Sequence, residues 1–122
     1  MLRPVALFAV AGLLGCAHAR PGVHAELRFG AEAARHELWR EAHLRFARAT
    51  EIQPGDARAW NNLAVALEAQ GRLRESFEAY RKAIELGGGK GGEARRNLDR
   101  FLLRHRDEIR EEPSTPRTGE HP

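Results

Sequence analysis

Apolar residues recur at helical spacing in the middle of the chain. One face of a predicted helix carries apolar side chains three or four positions apart, namely Trp60, Leu63, Ala64 and Leu67. Asp56 precedes this segment and is expected to cap the helix, because a carboxylate accepts hydrogen bonds from the free N–H groups of the first turn. Gly71 is expected to end the helix, since glycine adopts the left-handed conformation without a steric penalty.

A second helix is predicted directly after Gly71, and Gly87 closes it. Its apolar face carries four large side chains, namely Leu73, Phe77, Tyr80 and Ile84. Ser76 and Ala83 are small, so the two helices can approach each other closely. The helical spacing already accounts for Trp60 and for the aromatic residues of the second helix, which favours a packing role over ligand binding.

The same pattern occurs 34 residues earlier in the chain. Equivalent positions carry residues of similar size, namely Phe29 and Leu63, Ala42 and Ser76, Phe46 and Tyr80, Ala49 and Ala83. This period assigns a first helical pair to residues 23–56 and a second pair to residues 57–90. The first copy departs from the second at two positions, because Glu26 stands in place of Trp60 and Glu37 in place of Gly71.

A last helix is predicted over residues 93–110, after the glycine-rich stretch at 87–92. Its apolar stripe consists of Leu98, Phe101, Leu102, His105 and Ile109. Asn97-Leu98 echoes Asn62-Leu63 with one additional residue, so this helix is expected to cover the end of the second pair. Residues 111–122 combine three prolines with polar residues, and we expect a disordered tail there.

The 34-residue period, with large and small residues at these positions, resembles the tetratricopeptide repeat. The resemblance implies an all-α fold, a short α-solenoid of two helix-turn-helix repeats plus a C-terminal capping helix. Units of this kind cannot bury their apolar faces alone. Two repeats and a cap are therefore expected to be stabilised by a partner or by self-association into a homo-oligomer.

The resemblance also implies a concave groove along the first helix of each repeat and the capping helix. In the family, such a groove holds a segment of a partner protein. The family positions fall on Leu27, Ala31, Arg35, Asn61, Asn62, Val65, Ala69, Arg96, Arg100 and Arg104. The Asn62 position commonly contacts the partner backbone in the family, and an amide can donate and accept at once.

Three of the groove positions are arginines spaced by four residues along the capping helix. Arg96, Arg100 and Arg104 would therefore stack along one helical face. A column of guanidinium groups suits carboxylates, which predicts a groove that prefers an acidic or C-terminal segment. The alternative is that these arginines only solvate the outer surface of the helix.

The first sixteen residues have the pattern of an export signal. Arg3 is followed by a run from Pro4 to Gly15 without a charge, which is too short to span a bilayer as a helix. The closing Leu13-Leu14-Gly15-Cys16 resembles a bacterial lipobox. The resemblance implies cleavage before Cys16 and lipidation of its thiol, with residues 17–22 as a short tether to the helical body. The alternative is an ordinary secretory signal that is cut at residues 17–19.

Composition and charge exclude several classes of function. Twenty basic and 17 acidic residues give a net charge of +3, a mixed surface that argues only weakly for nucleic acid despite an isoelectric point near 9.7. One cysteine cannot form an internal disulfide or a cysteine-based zinc site. His36 and His43 are separated by the predicted turn, so they do not share a helix face. No metal site, cofactor or catalytic residue is predicted.

The sequence therefore predicts a non-enzymatic adaptor that is anchored to a membrane through Cys16. We expect it in a bacterial cell envelope, at the outer membrane facing the periplasm, with a protein or peptide partner in its groove. The alternatives are a secreted or periplasmic module without a lipid anchor, and a basic helical protein that binds nucleic acid. Export separates the chain from nucleic acid, and no interleaved aromatic and basic residues support that alternative.

Overall fold

The computed structural model describes residues 20–87 and 92–111. In these two ranges the chain forms five α-helices and no strand, which confirms the predicted all-α fold. The helices are α1 (Val23–Arg35), α2 (Trp39–Ile52), α3 (Ala57–Ala69), α4 (Leu73–Leu86) and α5 (Glu93–Glu111). No helix in these ranges is both long enough and apolar enough to cross a membrane.

Three predicted segments lie outside the described residues. The export signal with Cys16, the central part of the glycine-rich stretch and residues 112–122 of the predicted tail belong to this group. The lipobox and the tail therefore remain predictions from the sequence.

The start of α3 confirms the predicted cap. The Oδ1 atom of Asp56 accepts a hydrogen bond from the backbone N–H of Arg58 at 2.9 Å, and the guanidinium of Arg58 donates to Oδ2 at 2.8 Å. These bonds favour the charged carboxylate and hold the pKa of Asp56 below its usual range. The cap therefore stabilises α3 at neutral pH, and this contribution is lost as acid protonates the carboxylate.

The turns that follow α1 and α3 have the same geometry, although only one contains glycine. Gly71 has a φ of 73° and Glu37 a φ of 57°, both in the left-handed region. The next residue closes each turn with a backbone hydrogen bond, from Leu38 to Ala33 at 2.9 Å and from Arg72 to Leu67 at 3.0 Å. The two helical pairs are thus equivalent at their turns, and Glu37 carries the strain that Gly71 avoids.

Small residues hold the two helices of each pair together. In the first pair, Gly30 of α1 lies directly against the buried ring of Phe46 on α2, where an added Cβ would come within 2.5 Å of the ring. In the second pair, the buried hydroxyl of Ser76 donates to the carbonyl of Ala64 at 2.8 Å. Both contacts require helix backbones that lie closer than large side chains would allow.

The pairs stack through a continuous apolar core. α2 packs against α3, and α4 packs against α5, so that each helical pair covers the next. The ring of Phe101 on α5 is fully buried, 6.4 Å from the ring of Phe77 and 5.6 Å from the ring of Tyr80. α5 thus covers the end of the second pair, as the sequence predicts for a capping helix.

Glu26 is fully buried, although it carries a carboxylate where the second pair has the aromatic side chain of Trp60. Its Oε2 atom accepts a hydrogen bond from Arg45 at 3.4 Å, and Arg45 is also bonded to Glu41 at 2.6 Å. The Oε1 atom of Glu26 has no hydrogen-bond partner among the described residues. α1 nevertheless continues through Glu26, so the first pair has both of its helices.

The strained turn at Glu37 generates a stability prediction. Replacing Glu37 by glycine should raise the free energy of unfolding by about 1 kcal/mol, because the left-handed conformation costs a side chain roughly that much. Urea denaturation followed by circular dichroism measures the change. The reciprocal variant Gly71→Glu should lower stability by a similar amount, and shifts of the same sign in both variants would contradict the equivalence of the turns.

Candidate partner-binding groove

The first helices of the two pairs and the capping helix lie side by side. α3 is in the middle and contacts both α1 and α5. A depression of about 340 Å³ opens between them. Its walls are formed by Ala31, Ala34, Arg35, Phe46, Asn61, Asn62, Val65, Glu93 and Asn97. The depression lies on the face where the resemblance places the partner groove.

Half of the predicted groove residues line this depression. They are Ala31, Arg35, Asn61, Asn62 and Val65. Leu27 is half-buried and packs against the core, and Ala69 is exposed at the far end of α3. The groove assignment remains a prediction for all of these residues, and the geometry describes only the surface that they share.

A row of amide side chains crosses the depression from α5 to α3. The Nδ2 group of Asn97 donates to Oδ1 of Asn61 at 2.9 Å, and Nδ2 of Asn61 lies 3.5 Å from Oδ1 of Asn62. Asn61 is buried, whereas Asn62 and Asn97 are half-buried. The row therefore presents hydrogen-bonding groups beside the apolar side chains of Ala31 and Val65, a combination that suits an extended peptide.

Sequence reasoning missed four residues of the lining, namely Ala34, Phe46, Glu93 and Asn97. The repetition of Asn62-Leu63 as Asn97-Leu98 already marked Asn97 as an equivalent position and could have identified it. Nothing in the spacing distinguishes Glu93, which lies in the first turn of α5.

The three arginines of α5 lie beside the depression and not in its lining. Arg100 donates to Oδ1 of Asn97 at 2.7 Å, and this bond fixes the orientation of the amide. Arg104 donates to Oε1 of Glu68 at 2.7 Å. Arg96 is exposed near the start of α5. Arg100 and Arg104 thus have partners on α5 and α3, although the side chain of Arg104 remains 58% exposed.

Glu68 connects α3 to both α4 and α5. Besides Arg104, its carboxylate accepts from the hydroxyl of Tyr80 at 3.1 Å and lies 3.1 Å from Nε2 of His105. Burial and the neighbouring carboxylate raise the pKa of Tyr80 well above its usual range, so the phenol keeps its proton and donates a hydrogen bond to Glu68. This cluster holds the middle of α5 against α3 and α4.

Among the described residues, no group of histidine, cysteine, aspartate and glutamate side chains could hold a metal ion. His36 lies in the turn that follows α1, whereas His43 lies on α2. His36 approaches Glu32 at 3.1 Å, and Nδ1 of His43 approaches Arg72 at 3.0 Å. These contacts account for both side chains as ordinary surface groups.

Comparison with known proteins supports the repeat. Residues 57–87 match the family described as the tetratricopeptide repeat. The chain carries a tetratricopeptide repeat. This repeat covers α3 and α4, and repeats of this family typically mediate protein–protein interaction.

A curated relative supports the same conclusion. Over 71 residues, or 58% of the chain, the sequence is 38% identical to "Tetratricopeptide repeat protein 36" of Xenopus tropicalis. The matched part spans about a third of that relative, 35% of its length. The similarity therefore concerns the repeat region, and the activity of the whole relative does not follow from it for this chain.

The cluster around Glu68 generates a second stability prediction. Glu68→Gln keeps the shape of the side chain but removes the charge that Arg104 and His105 face. The free energy of unfolding should fall by about 1 kcal/mol, because the carboxylate is only 13% exposed while Arg104 is largely in contact with solvent. Urea denaturation measures it. Glu78→Gln is the matched control, because the exposed pair of Glu78 and Arg81 should contribute less than about 0.5 kcal/mol; equal losses would contradict a special role for Glu68.

Proposed function

We propose that this chain is a non-enzymatic adaptor whose groove binds an extended segment of a partner protein. The observation that carries the proposal is the amide row of Asn97, Asn61 and Asn62 beside an apolar wall in a depression of about 340 Å³. Amide groups can pair with the backbone of an extended segment, and the small Ala31 leaves room for one of its side chains.

The partner segment is proposed to be acidic. Arg35 lies in the lining of the groove, and Arg96, Arg100 and Arg104 extend along the neighbouring face of α5. Arg35 is paired with Glu32, and both side chains are exposed. Exposed pairs of this kind contribute little to stability, so a carboxylate of the partner can replace the internal one at small cost.

The adaptor is further proposed to be a lipoprotein of a bacterial cell envelope, at the outer membrane on its periplasmic side. The proposal rests on the lipobox sequence that ends at Cys16. Only residues 17–22 separate this cysteine from α1, and an extended chain of that length spans about 20–25 Å. A lipid on Cys16 would therefore hold the groove close to the membrane, where the partner would have to present its acidic segment.

The groove proposal predicts a position-specific crosslink in cells. A photoreactive amino acid in place of Asn62 should give a discrete crosslinked product, because the side chain lines the groove. The same amino acid in place of Glu78, which is exposed on α4, should not. Immunoblotting detects the products, and equal crosslinking from both positions would contradict a specific site at the groove.

The acidic preference is tested in the same crosslinking experiment. The double variant Arg35→Glu with Arg96→Glu should reduce the Asn62-directed product about tenfold, since it replaces attraction by repulsion at two positions. Arg81→Glu on α4 is the matched control and should leave the product unchanged. A double variant that crosslinks like the unmodified chain would remove the acidic preference but not the groove.

The lipid anchor predicts the behaviour of a cysteine variant. Cells that are supplied with a labelled fatty acid should label the chain, and Cys16→Ala should abolish the label and release the protein from the membrane fraction. Label that persists in Cys16→Ala would show the lipobox interpretation to be wrong. A protein that is exported but never labelled would favour the soluble periplasmic module.

A further inference from the structure

A second cavity lies beside the groove, at the junction of α3, α4 and α5. It has a volume of about 220 Å³. Small or apolar residues form most of its lining, namely Ala57, Ala83, Ile84, Gly87 and Ala94. Asn61, Asn62 and Glu93 line both this cavity and the groove. The cavity therefore adjoins the groove along α3 and the first turn of α5.

The equivalent space at the junction of α1, α2 and α3 is filled. Val23 and Leu27 of α1 pack there with Ala49 of α2 and Ala59 of α3, and both alanines are fully buried. The period of 34 residues, together with the correspondence of Asn97 and Asn62, relates this apolar cluster to four residues of the second junction. They are Ala57, Asn61, Ala83 and Ala94, and all four line the cavity.

Two differences between the junctions account for the cavity. Where α1 has Val23, α3 has the smaller Ala57. Where α1 has Leu27, α3 has Asn61, whose amide is hydrogen-bonded to Asn97 at 2.9 Å. The space that the larger side chains fill at the first junction is thus open at the second. An apolar cavity of about 150 Å³ is large enough for benzene, so this cavity can take an aromatic ring.

The charged groups at the mouth of the cavity do not select an anion. Nη2 of Arg58 is 2.8 Å from Oδ2 of Asp56, and Nε of Arg95 is 3.6 Å from Oδ1 of Asp99. Glu93 adds a further carboxylate to the lining. The two guanidinium groups are thus already compensated, and the apolar walls favour an uncharged side chain.

The neighbouring glycine-rich stretch offers no apolar side chain to the cavity. Residues 88–91 connect Gly87 to Gly92 and lie outside the described residues. Three of these four residues are glycines, and the other is Lys90. Burial of its ammonium group between apolar walls would be unfavourable without a charged partner. An apolar occupant must therefore come from elsewhere.

We propose that the cavity receives an aromatic side chain of the partner segment that occupies the groove. The inference rests on the proposed function and adds a specificity to it, because the segment must carry a phenylalanine-like ring beside the part that pairs with Asn62. The ring completes the apolar cluster of the second junction, in the place that Val23 and Leu27 fill at the first. Burial of an aromatic ring also supplies affinity that a row of amides does not.

A small probe tests the cavity without the partner. The full chain carries Cys16→Ser, so that no acyl group is present, and it is titrated with N-acetylphenylalanine amide while its backbone amide resonances are followed by NMR. Saturable shifts are expected at Gly87 and Ala94, which line the cavity. N-acetylalanine amide has the same backbone groups without the ring and should cause no such shifts.

Two variants fill the cavity from different helices. Ala57→Leu fills it from α3 and Ala94→Leu from α5, and each should abolish the shifts that the phenylalanine probe causes. Both alanines are half-buried in the lining, so circular dichroism should remain unchanged. Ala47→Leu is the matched control, because Ala47 is also half-buried but lines a separate depression on α2.

The crosslinking experiment relates the cavity to the partner. Ala57→Leu and Ala94→Leu should each reduce the Asn62-directed product about tenfold, since the aromatic side chain loses its place. Ala47→Leu should leave the product unchanged.

The outcomes separate the cavity from the groove. A chain that gives no specific product from Asn62 would contradict the proposed function and this inference with it. A specific product that both filled variants leave unchanged would overturn only the inference, and the groove would stand. Equal shifts with both probes, or shifts that persist in both filled variants, would also overturn the inference alone.

Discussion

The close approach of the two helices in each pair is the constraint on which the rest of the structure depends. Gly30 lets the ring of Phe46 pack against the backbone of α1, and the hydroxyl of Ser76 bonds directly to the carbonyl of Ala64. Because the two helices of each pair lie close together, the next pair can cover their apolar side chains. A continuous core therefore extends from Phe46 to Phe101. The groove follows from this stacking, since it brings α1, α3 and α5 side by side.

Much of the fold could be predicted from the sequence because repetition provides an internal comparison. A period of 34 residues marked the turn at Glu37 as the equivalent of Gly71, and both residues have the left-handed conformation. At Glu26 the same comparison marked a departure from the pattern but could not show how a carboxylate is accommodated there. The buried carboxylate has its hydrogen bond from Arg45 of α2, and such compensation depends on three-dimensional contacts that spacing does not encode.

The candidate site could be predicted only in part. The side-chain positions on α1 and α3 follow from helical periodicity, and residues such as Asn62 and Val65 do line one depression. The interactions of the arginines depend on which helix lies opposite. Arg104 meets Glu68 across 36 residues of sequence, and Arg100 bonds to Asn97 within its own helix. A sequence pattern can predict which face of a helix carries a charge. The side chains that neighbour the charge in the fold determine how strongly a partner interacts with it.

The hydrogen bond from Asn97 to Asn61 connects the groove to the packing of α5. It joins the wall on α5 to the floor on α3, and Arg100 in turn fixes the amide of Asn97. The width of the cleft therefore depends on the position of α5 relative to α3. A ligand that competes for the amide of Asn61 removes one of the contacts between α5 and α3, whereas a ligand that leaves this bond intact must fit the cleft as it is. A partner that breaks this bond would therefore act on the packing of α5 as well as on the groove, while Phe101 and Arg104 still hold the helix.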